Sequence, residues 1–245
     1  MPTSREFVLV HGMSHGAWCW DEVVTRLRRD GHRAVAMDLP GHGRRAAERG
    51  RASLEGYAQA VVGATVDAGF SHAIVVGHSM GGMVIQRAAE LMPARIAHLV
   101  FLAAVVLPRG ASLLEGSHIA LPGRALMRGL AAAGGGAVQY PAAFAWARWM
   151  SDLAPGDARV TAALARLTPQ PLRPLVERGD YARFWALDIP RTYIRCLRDA
   201  AVVPDRAAEY AARLGVAPID MDCAHGPMLS EPEALIAIFE KMTAV

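Results

Sequence analysis

The sequence predicts an α/β fold, with a doubly wound, mostly parallel sheet of about six strands and a helical cap insertion. The first observation is that short apolar runs alternate with helical patterns along most of the chain, as parallel strands alternate with crossover helices. The second is an interruption of about 80 residues without strand character, which is too long for a loop in a compact domain. The predicted strands are Glu6–Val10, Arg33–Asp38, Ala73–Val76, Leu99–Ala103, Thr192–Cys196 and Pro218–Met221.

Helical patterns separate or follow these strands. The third strand contains the β-branched run Ile74–Val76, which is typical of a buried parallel strand. After it, apolar residues from Met83 to Leu91 lie largely on one helix face, and Pro93 ends that helix. The predicted helices are Trp20–Arg29, Leu54–Ala68, Met80–Leu91, Pro204–Leu214 and Glu233–Met242.

The interruption lies between Pro108 and about Asp188 and contains the glycine-rich run 131–136, an aromatic group and several prolines. We interpret it as a mostly helical cap over the carboxyl edge of the sheet, where α/β folds bind their ligands. Residues 1–107 then form the first part of the core, 108–188 the cap or lid, and 189–245 the second part of the core, with the candidate acid and histidine. The alternative is an ordinary helical subdomain whose aromatic side chains are all buried.

Composition indicates a globular chain. Its 245 residues are 53% hydrophobic and 20% charged, enough for a full core in one large domain. The formal net charge is only +3, and the arginines are scattered, with Arg28–Arg29 and Arg44–Arg45 as the adjacent pairs. This distribution predicts a solvated surface and no nucleic-acid partner. Apolar runs stay shorter than the roughly 18 residues of a membrane span, so we expect no membrane association.

The cysteines Cys19, Cys196 and Cys223 follow no regular spacing. An odd number without a pattern argues against a disulfide framework or a zinc site and favours small buried apolar side chains.

The first apolar run, Phe7–Val10, is too short for the apolar region of a signal peptide. We therefore predict a cytoplasmic location.

A Gly-x-Ser-x-Gly segment, Gly77-His78-Ser79-Met80-Gly81, joins the third strand to the helix after it. A serine hydroxyl is a poor nucleophile until a base activates it, and a sharp strand-to-helix turn exposes it to such a base. Chance forms the pentapeptide in about one such glycine-rich sequence in ten, so the motif alone is weak evidence. Its position between strand and helix predicts that Ser79 is a nucleophile.

A serine nucleophile needs a histidine base and a carboxylate that orients it. His225 follows the last predicted strand, on a loop that can fold toward the serine, and we predict it as the base. Asp199 lies on the loop after the fifth predicted strand, at the same edge, and we predict it as the acid. Asp205, expected in the first turn of a helix, and Asp222 are the alternatives. The histidines compared are His11, His15, His32, His42, His72, His78, His98, His118 and His225.

Two backbone amides are candidates for an oxyanion site. Met80 follows the serine, and the second donor is expected from the loop after the first strand, where we predict Met13. A plain glycine-rich turn or a phosphate loop is the alternative for that segment. It lacks both Gly-x-Gly-x-x-Gly and a Lys-Ser/Thr ending, which disfavours the phosphate loop.

Several segments together resemble the α/β-hydrolase superfamily. Within it they are similar to the branch that holds plant methylesterases, plant hydroxynitrile lyases and bacterial esterases. The resemblance covers nearly the whole chain except the insertion. It implies the α/β-hydrolase fold and a serine–histidine–aspartate triad that needs no cofactor and no metal. The segments are His11-Gly12-x-x-His15-Gly16-Ala17-Trp18-x-Trp20, Asp38-Leu39-Pro40-Gly41-His42-Gly43, Gly77-His78-Ser79-Met80-Gly81-Gly82 and His225-x-x-Met228-Leu229-Ser230-x-Pro232.

Two positions bear on which reaction of that branch the chain performs. The lyases typically carry threonine at the position of Gly12 and lysine at the position of Gly226, and that lysine handles cyanide. Both differences favour hydrolysis over cyanohydrin cleavage. Ala224 stands where the family typically has aspartate or glycine, a difference that no pattern in the sequence explains.

By analogy we expect a bacterial esterase that cleaves a small or medium apolar ester or lactone through an acyl-enzyme. Its expected partner is the small-molecule ester, and a homodimer is one possible assembly. A lyase or carbon–carbon bond hydrolase on the same triad, and a non-catalytic ligand-binding protein, are the alternatives. The predicted substrate-binding residues are Gly12, His15, Trp18, Trp146 and Trp149.

Overall fold

A set of β-strands forms the framework of the protein. The computed structural model describes residues 4–117 and 119–242. His118, one of the histidines compared above, lies outside the described residues. Within them the strands are β1 (Glu6–Val10), β2 (Arg33–Met37), β3 (Ala73–His78), β4 (Ile96–Leu102), β5 (Ala137–Val138), β6 (Gln170–Pro171), β7 (Arg191–Cys196) and β8 (Ile219–Met221).

Six of these strands form one parallel sheet in the order β2-β1-β3-β4-β7-β8. The predicted parallel sheet of about six strands is confirmed. The order of connection reverses between β1 and β3, where Val10 pairs with Gly77. Such a switch point opens a crevice beyond the carboxyl ends of the two strands, because the loops that leave them diverge.

Helices connect the strands, and the five predicted ones agree with the structure to within one residue at each end. None of the helices in residues 4–117 and 119–242 is long and apolar enough to cross a membrane. The helices are α1 (Asp21–Arg29), α2 (Leu54–Asp67), α3 (Gly81–Leu91), α4 (Leu113–Gly116), α5 (Leu121–Ala133), α6 (Ala142–Trp149), α7 (Ala158–Arg166), α8 (Arg173–Val176), α9 (Ala182–Ala186), α10 (Pro204–Leu214), α11 (Pro227–Ser230) and α12 (Pro232–Lys241).

The sheet is covered on both faces, because successive strand residues point to opposite sides. On one face Val8 and Val75 belong to a core shared with α2, α3 and α10. On the other, Phe7 and Ile74 belong to a core shared with α1, α6, α7 and α12. The three cysteines are buried and free, as expected for small apolar side chains.

The chain between β4 and β7 is mostly helical, as predicted, and runs from α4 to α9. It also contains a short antiparallel pair in which Ala137 pairs with Pro171 and Val138 with Gln170. The expectation that this segment contains no strand is therefore wrong. Two residues are too few to produce an alternating pattern, and a proline argues against a strand.

Helix α5 contributes little to the core. Of its 13 residues only Ala131 is buried, whereas Leu121 is 75% exposed and Leu126 is 62% exposed. Beyond its C-cap residue Gly134 come Gly135 and Gly136, both with positive φ. Few side chains of α5 are therefore fixed by core packing.

Candidate active site

The turn between β3 and α3 presents Ser79 at the carboxyl edge of the sheet. Ser79 has a φ of +54°, a region that side-chain-bearing residues rarely adopt. A Cβ on Gly77 would lie 2.6 Å from the Gly81 carbonyl oxygen, so the turn is as tight as the motif predicts. Backbone strain of this kind persists where the surroundings hold a functional side chain in place.

A buried hydrogen bond joins the predicted base to the predicted acid. His225 Nδ1 lies 2.7 Å from Asp199 Oδ2, with the two side chains 1% and 0% exposed. Because a carboxylate oxygen accepts only, the Nδ1 atom carries the proton and Nε2 is left as an acceptor. Asp199 Oδ1 accepts the amide N–H groups of Ala201 at 2.6 Å and Val202 at 2.8 Å, which fixes the carboxylate.

The loop that carries His225 lies against the turn of the nucleophile. The His78 and His225 ring centroids are 4.6 Å apart, and His78 Nε2 donates to the His225 carbonyl at 2.8 Å. The Ala224 amide donates to Asp152 Oδ2 at 2.9 Å, so the segment between β4 and β7 also holds this loop. No hydrogen bond between described residues uses the Ser79 hydroxyl; such contacts often tighten only when substrate binds.

The alternative acids lie elsewhere. Asp205 is in the first turn of α10, as expected for an ordinary N-terminal carboxylate. The Asp222 side chain is 79% exposed and pairs with Arg198 Nε at 2.9 Å. Of the three carboxylates considered, Asp199 is the one that contacts the histidine.

His11 orients the loop after β1. Its Nδ1 donates to the Gly12 carbonyl at 2.8 Å, and its Nε2 accepts the Leu39 amide at 3.1 Å. The Gly12 carbonyl and the Met13 N–H belong to one peptide plane, so fixing the first aims the second. Among the described residues no hydrogen bond uses the Met13 or Met80 N–H, which leaves both as candidate donors.

Gly12 lies directly beside the nucleophile. A Cβ there would lie 2.8 Å from Ser79 Cβ and 3.0 Å from His78 Nδ1. Real Cβ atoms do not approach so closely, so a larger residue requires the turn to move. The absence of a side chain at position 12 is thus a condition of this arrangement.

A cavity of about 500 Å³ opens above the serine and is walled mainly by apolar side chains. Trp149, one of the candidate substrate-binding residues, lines it together with Tyr140 of the segment between β4 and β7. Leu126 and Leu130 place helix α5 in its wall. Met13, Ser79 and Met80 line it from the core side.

The other predicted substrate-binding residues do not line this cavity. The ring of His15 is buried between Trp18 and Trp149, with centroid distances of 5.3 Å to each. Trp18 borders two grooves outside the cavity. The Trp146 indole donates to the Leu153 carbonyl at 2.9 Å, which turns it into the core between α6 and α7. Of the predicted aromatic contacts we retain Trp149.

The sequence of the chain matches the family profile of the alpha/beta hydrolases over residues 7–238, nearly its whole length. The chain belongs to the alpha/beta hydrolase family.

Curated relatives of this alpha/beta hydrolase match part of the chain. A probable esterase of rice (Oryza sativa subsp. indica), PIR7A, is 46% identical over 104 residues, which are 41% of this chain and 39% of the rice protein. A carbendazim hydrolyzing esterase of Nocardioides sp. (strain SG-4G) is 40% identical over 117 residues, 47% of this chain and 48% of the relative. The matched stretches thus span less than half the length of these relatives.

Solved structures match over almost the full length. An extracellular alpha/beta-hydrolase from a Paenibacillus species, reported to share structural and functional homology with tobacco salicylic acid binding protein 2, has a TM-score of 0.87 and 26% identity, covering 97% of this chain and 98% of that one. A pyrethroid hydrolase from Sphingobium faniae JZ-2 has a TM-score of 0.77 and 26% identity, covering 99% of both. The fold class is therefore that of the alpha/beta hydrolases.

Some site residues of this alpha/beta hydrolase have no counterpart in the sequence predictions. Leu126 and Leu130 of the cavity wall belong to a helical pattern that does not distinguish a pocket from a core. Gln170 and Thr168 bond the loop after β1, and Asp152 bonds the loop before His225. Isolated polar residues form no motif, so their partners become visible only in the folded chain.

Burial lowers the pKa of several histidines around the nucleophile. The pKa of His15 falls to about 4, and those of His11 and His78 fall well below the ordinary value. Burial likewise lowers the pKa of His42. The main cause is loss of hydration of the charged form, and repulsion between neighbouring histidines adds to it for the first three. These rings are therefore neutral at pH 7.

The stability of the protein should decrease as the pH falls below about 6.5, the pKa of histidine in an unfolded chain. Below that value the histidines of the unfolded chain bind protons, whereas the buried rings of the folded protein stay neutral. For His15 this difference in proton binding persists down to about pH 4. Each such ring contributes a slope of about 1.4 kcal/mol per pH unit to the free energy of unfolding. Urea unfolding at pH 7, 6 and 5 measures the slope.

The variant His15→Asn is the matched control for this slope. It removes one titrating ring, so the slope should decrease by about 1.4 kcal/mol per pH unit, whatever happens to the absolute stability. A free energy of unfolding that stays constant from pH 7 to pH 5 contradicts the expectation.

Proposed function

We propose that this chain is a carboxylic ester hydrolase that acts on small or medium apolar esters or lactones through Ser79, His225 and Asp199. The observation that carries the proposal is the buried Asp199–His225 hydrogen bond beside the strained turn of Ser79. It leaves His225 Nε2 as a proton acceptor on a loop that contacts His78, the neighbour of Ser79, and Ser79 lines an apolar cavity. The esterase relatives support the same reaction.

The proposed reaction has two stages. His225 Nε2 takes the Ser79 proton as Oγ attacks the ester carbonyl, and the resulting imidazolium is stabilised by Asp199. His225 then protonates the leaving alcohol, which gives an acyl-enzyme. In the second stage His225 takes a proton from water, hydroxide adds to the acyl carbon, and the acid leaves as Ser79 regains its proton.

The amides of Met13 and Met80 are the proposed oxyanion donors. Negative charge develops on the carbonyl oxygen in both stages, and fixed N–H dipoles in a water-poor site stabilise it. The bond from His11 to the Gly12 carbonyl supports this role for Met13, because it holds the shared peptide plane. The role of Met80 follows from its position at the start of α3.

The cavity supports an apolar substrate of limited size. A volume of about 500 Å³ is within the usual range of small-molecule sites. The side chains of Leu126, Tyr140 and Trp149 offer apolar contacts to either half of an ester. Relatives named as a carbendazim hydrolyzing esterase and a pyrethroid hydrolase support a small-molecule substrate that is cleaved by hydrolysis.

Cyanohydrin cleavage on the same triad is disfavoured by geometry at position 226. A Cβ on Gly226 would lie 2.9 Å from the Trp149 carbonyl oxygen. The lysine that the lyases carry there does not fit without a backbone shift.

A homodimer and a cytoplasmic location stay predictions. Three buried free cysteines support the cytoplasmic location, whereas the Paenibacillus neighbour is described as extracellular.

The test is release of p-nitrophenol from esters ranging from acetate to decanoate. We expect saturable turnover with an optimum at short to medium acyl chains, because the cavity limits the length that can bind. Covalent labelling by a fluorophosphonate, located by peptide mass, should identify Ser79. A folded protein that turns over none of these esters and resists the label overturns the proposal and favours a ligand-binding role.

A further inference from the structure

Hydrogen bonds connect the loop of residues 11–16 to the segment 168–171, which lies between α7 and α8. Ser14 is the point of contact. Its amide donates to Gln170 Oε1 at 3.0 Å, and its carbonyl accepts the Thr168 amide at 2.9 Å. Ser14 has a φ of +61°, which non-glycine residues avoid, so the loop depends on such contacts to keep its shape.

The side-chain amide of Gln170 can face only one way. Its Oε1 accepts Ser14 N–H and His42 Nε2–H, the latter at 3.0 Å, and its Nε2 donates to the Pro171 carbonyl at 2.9 Å. Turning the amide over faces donor to donor at Ser14 and acceptor to acceptor at Pro171. Gln170 is fully buried, so water offers no replacement for these bonds.

A second line of contacts runs from Gln170 to the same peptide. The ring of His42 packs edge-on against that of His11, with centroids 4.9 Å apart. His11 in turn donates to the Gly12 carbonyl, whose peptide carries the Met13 N–H. Gln170 therefore reaches the candidate oxyanion donor from two sides, through Ser14 and through the histidines.

We propose that Gln170 is a positioning residue for the oxyanion site, which couples the cap segment to the orientation of the Met13 amide. The inference rests on the proposed function, since it concerns the same site. A donor aimed at the tetrahedral intermediate stabilises the transition state more than bound substrate. Displacing the Met13 amide therefore lowers kcat and changes KM little.

The test is Gln170→Met, which preserves side-chain length and removes the acceptor. We expect kcat to fall about 10- to 100-fold, less than the loss of a whole oxyanion donor, with KM changed less than about threefold. An aryl trifluoromethyl ketone, which forms a tetrahedral adduct on Ser79, should lose affinity by the same factor as kcat/KM. The affinity for the product carboxylic acid should stay within about threefold.

Gln86 provides the matched control. It is fully buried, and its amide bonds both backbone groups of Leu107, at 3.0 and 2.9 Å. Gln86→Met removes the same kind of bonds away from the loop of residues 11–16, so it reports the effect of destabilisation alone. Gln170→Glu keeps an oxygen that accepts the Ser14 amide and should recover part of the kcat lost in Gln170→Met.

Hydrogen exchange of residues 11–16 provides a readout that needs no substrate. In Gln170→Met the Ser14 amide should exchange faster than in wild type and in Gln86→Met. If Gln170→Met does not fold, the same measurements of kcat, analogue affinity and Ser14 exchange are made on Gln170→Glu and on Gln170→Asn, whose side chain is one methylene shorter.

Wild-type kcat and analogue affinity in a folded Gln170→Met overturn the proposal, as does an equal loss of kcat in Gln86→Met. A wild-type chain without ester turnover overturns the proposed function instead. In that case unchanged exchange at Ser14 in the variant still refutes the positioning contact.

Discussion

Replacing Ser79 with alanine should reduce kcat for p-nitrophenyl esters by about 10⁴- to 10⁶-fold, the scale seen when a triad nucleophile is lost. Alanine cannot form the acyl-enzyme, so only stabilisation by the remaining site persists. KM should change little, because the walls of the cavity are intact. Steady-state kinetics with active-site titration of the wild type measure the effect.

A matched control for this variant is Ser53→Ala. Ser53 caps α2 by accepting the Gly56 amide at 3.0 Å, away from the cavity. Its loss should cost about 1 kcal/mol of stability and leave kcat unchanged. Residual turnover in Ser79→Ala above about one hundredth of wild type, in a preparation free of contaminating esterase, contradicts Ser79 as the nucleophile.

Replacing Asp199 with asparagine should lower kcat by about 10⁴-fold with little change in fold. The amide oxygen of asparagine should stay on the Ala201 and Val202 amides, which can only donate. The NH₂ group then faces His225 Nδ1, which must become an acceptor and move its proton to Nε2. In that tautomer His225 cannot take the proton of Ser79.

Asp222→Asn is the control that separates the two carboxylates near His225. Its side chain is exposed and paired with Arg198, so its neutralisation should leave kcat within about twofold. The pH profile adds a second readout, since the rate of Asp199→Asn should rise with hydroxide concentration where general-base catalysis is lost. Equal effects of the two substitutions contradict the assignment of Asp199.

The core of the fold could be predicted because its information is local. A β-branched run such as Ile74–Val76 is typical of a buried strand, and β1 and α10 have the bounds that the sequence predicts. The start of β4 was predicted three residues late. Ala97 and His98 are only half-buried and break the apolar run, although Ile74 pairs with His98 in the sheet.

The candidate triad could be predicted from topology. In a parallel sheet the loops after successive strands meet at one edge, so Asp199 and His225 were expected near Ser79 before any distance was known. Asp199 is the predicted acid, but Asp222 stays an alternative in the sequence, because a sequence does not give the direction of a side chain on a loop. The buried contact at 2.7 Å supplies that direction.

The cavity walls could not be predicted. Trp18, Trp146 and Trp149 are equally aromatic, and only Trp149 lines the cavity. Which face of a cap helix meets the pocket depends on how the helix packs on the core, which a periodic pattern does not encode. Gln170 escaped prediction for a related reason, since one glutamine between prolines has no motif.

Helix α5 separates specificity from stability. Leu126 and Leu130 line the cavity, yet they are 62% and 44% exposed, and substitutions at exposed positions typically change stability by less than about 0.5 kcal/mol. New substrate preferences can therefore accumulate on this helix at little cost to folding, while changes beside Ser79 are strongly constrained. Random libraries restricted to α5 should yield a high proportion of folded, active variants, and natural divergence within the family has the same route open to it.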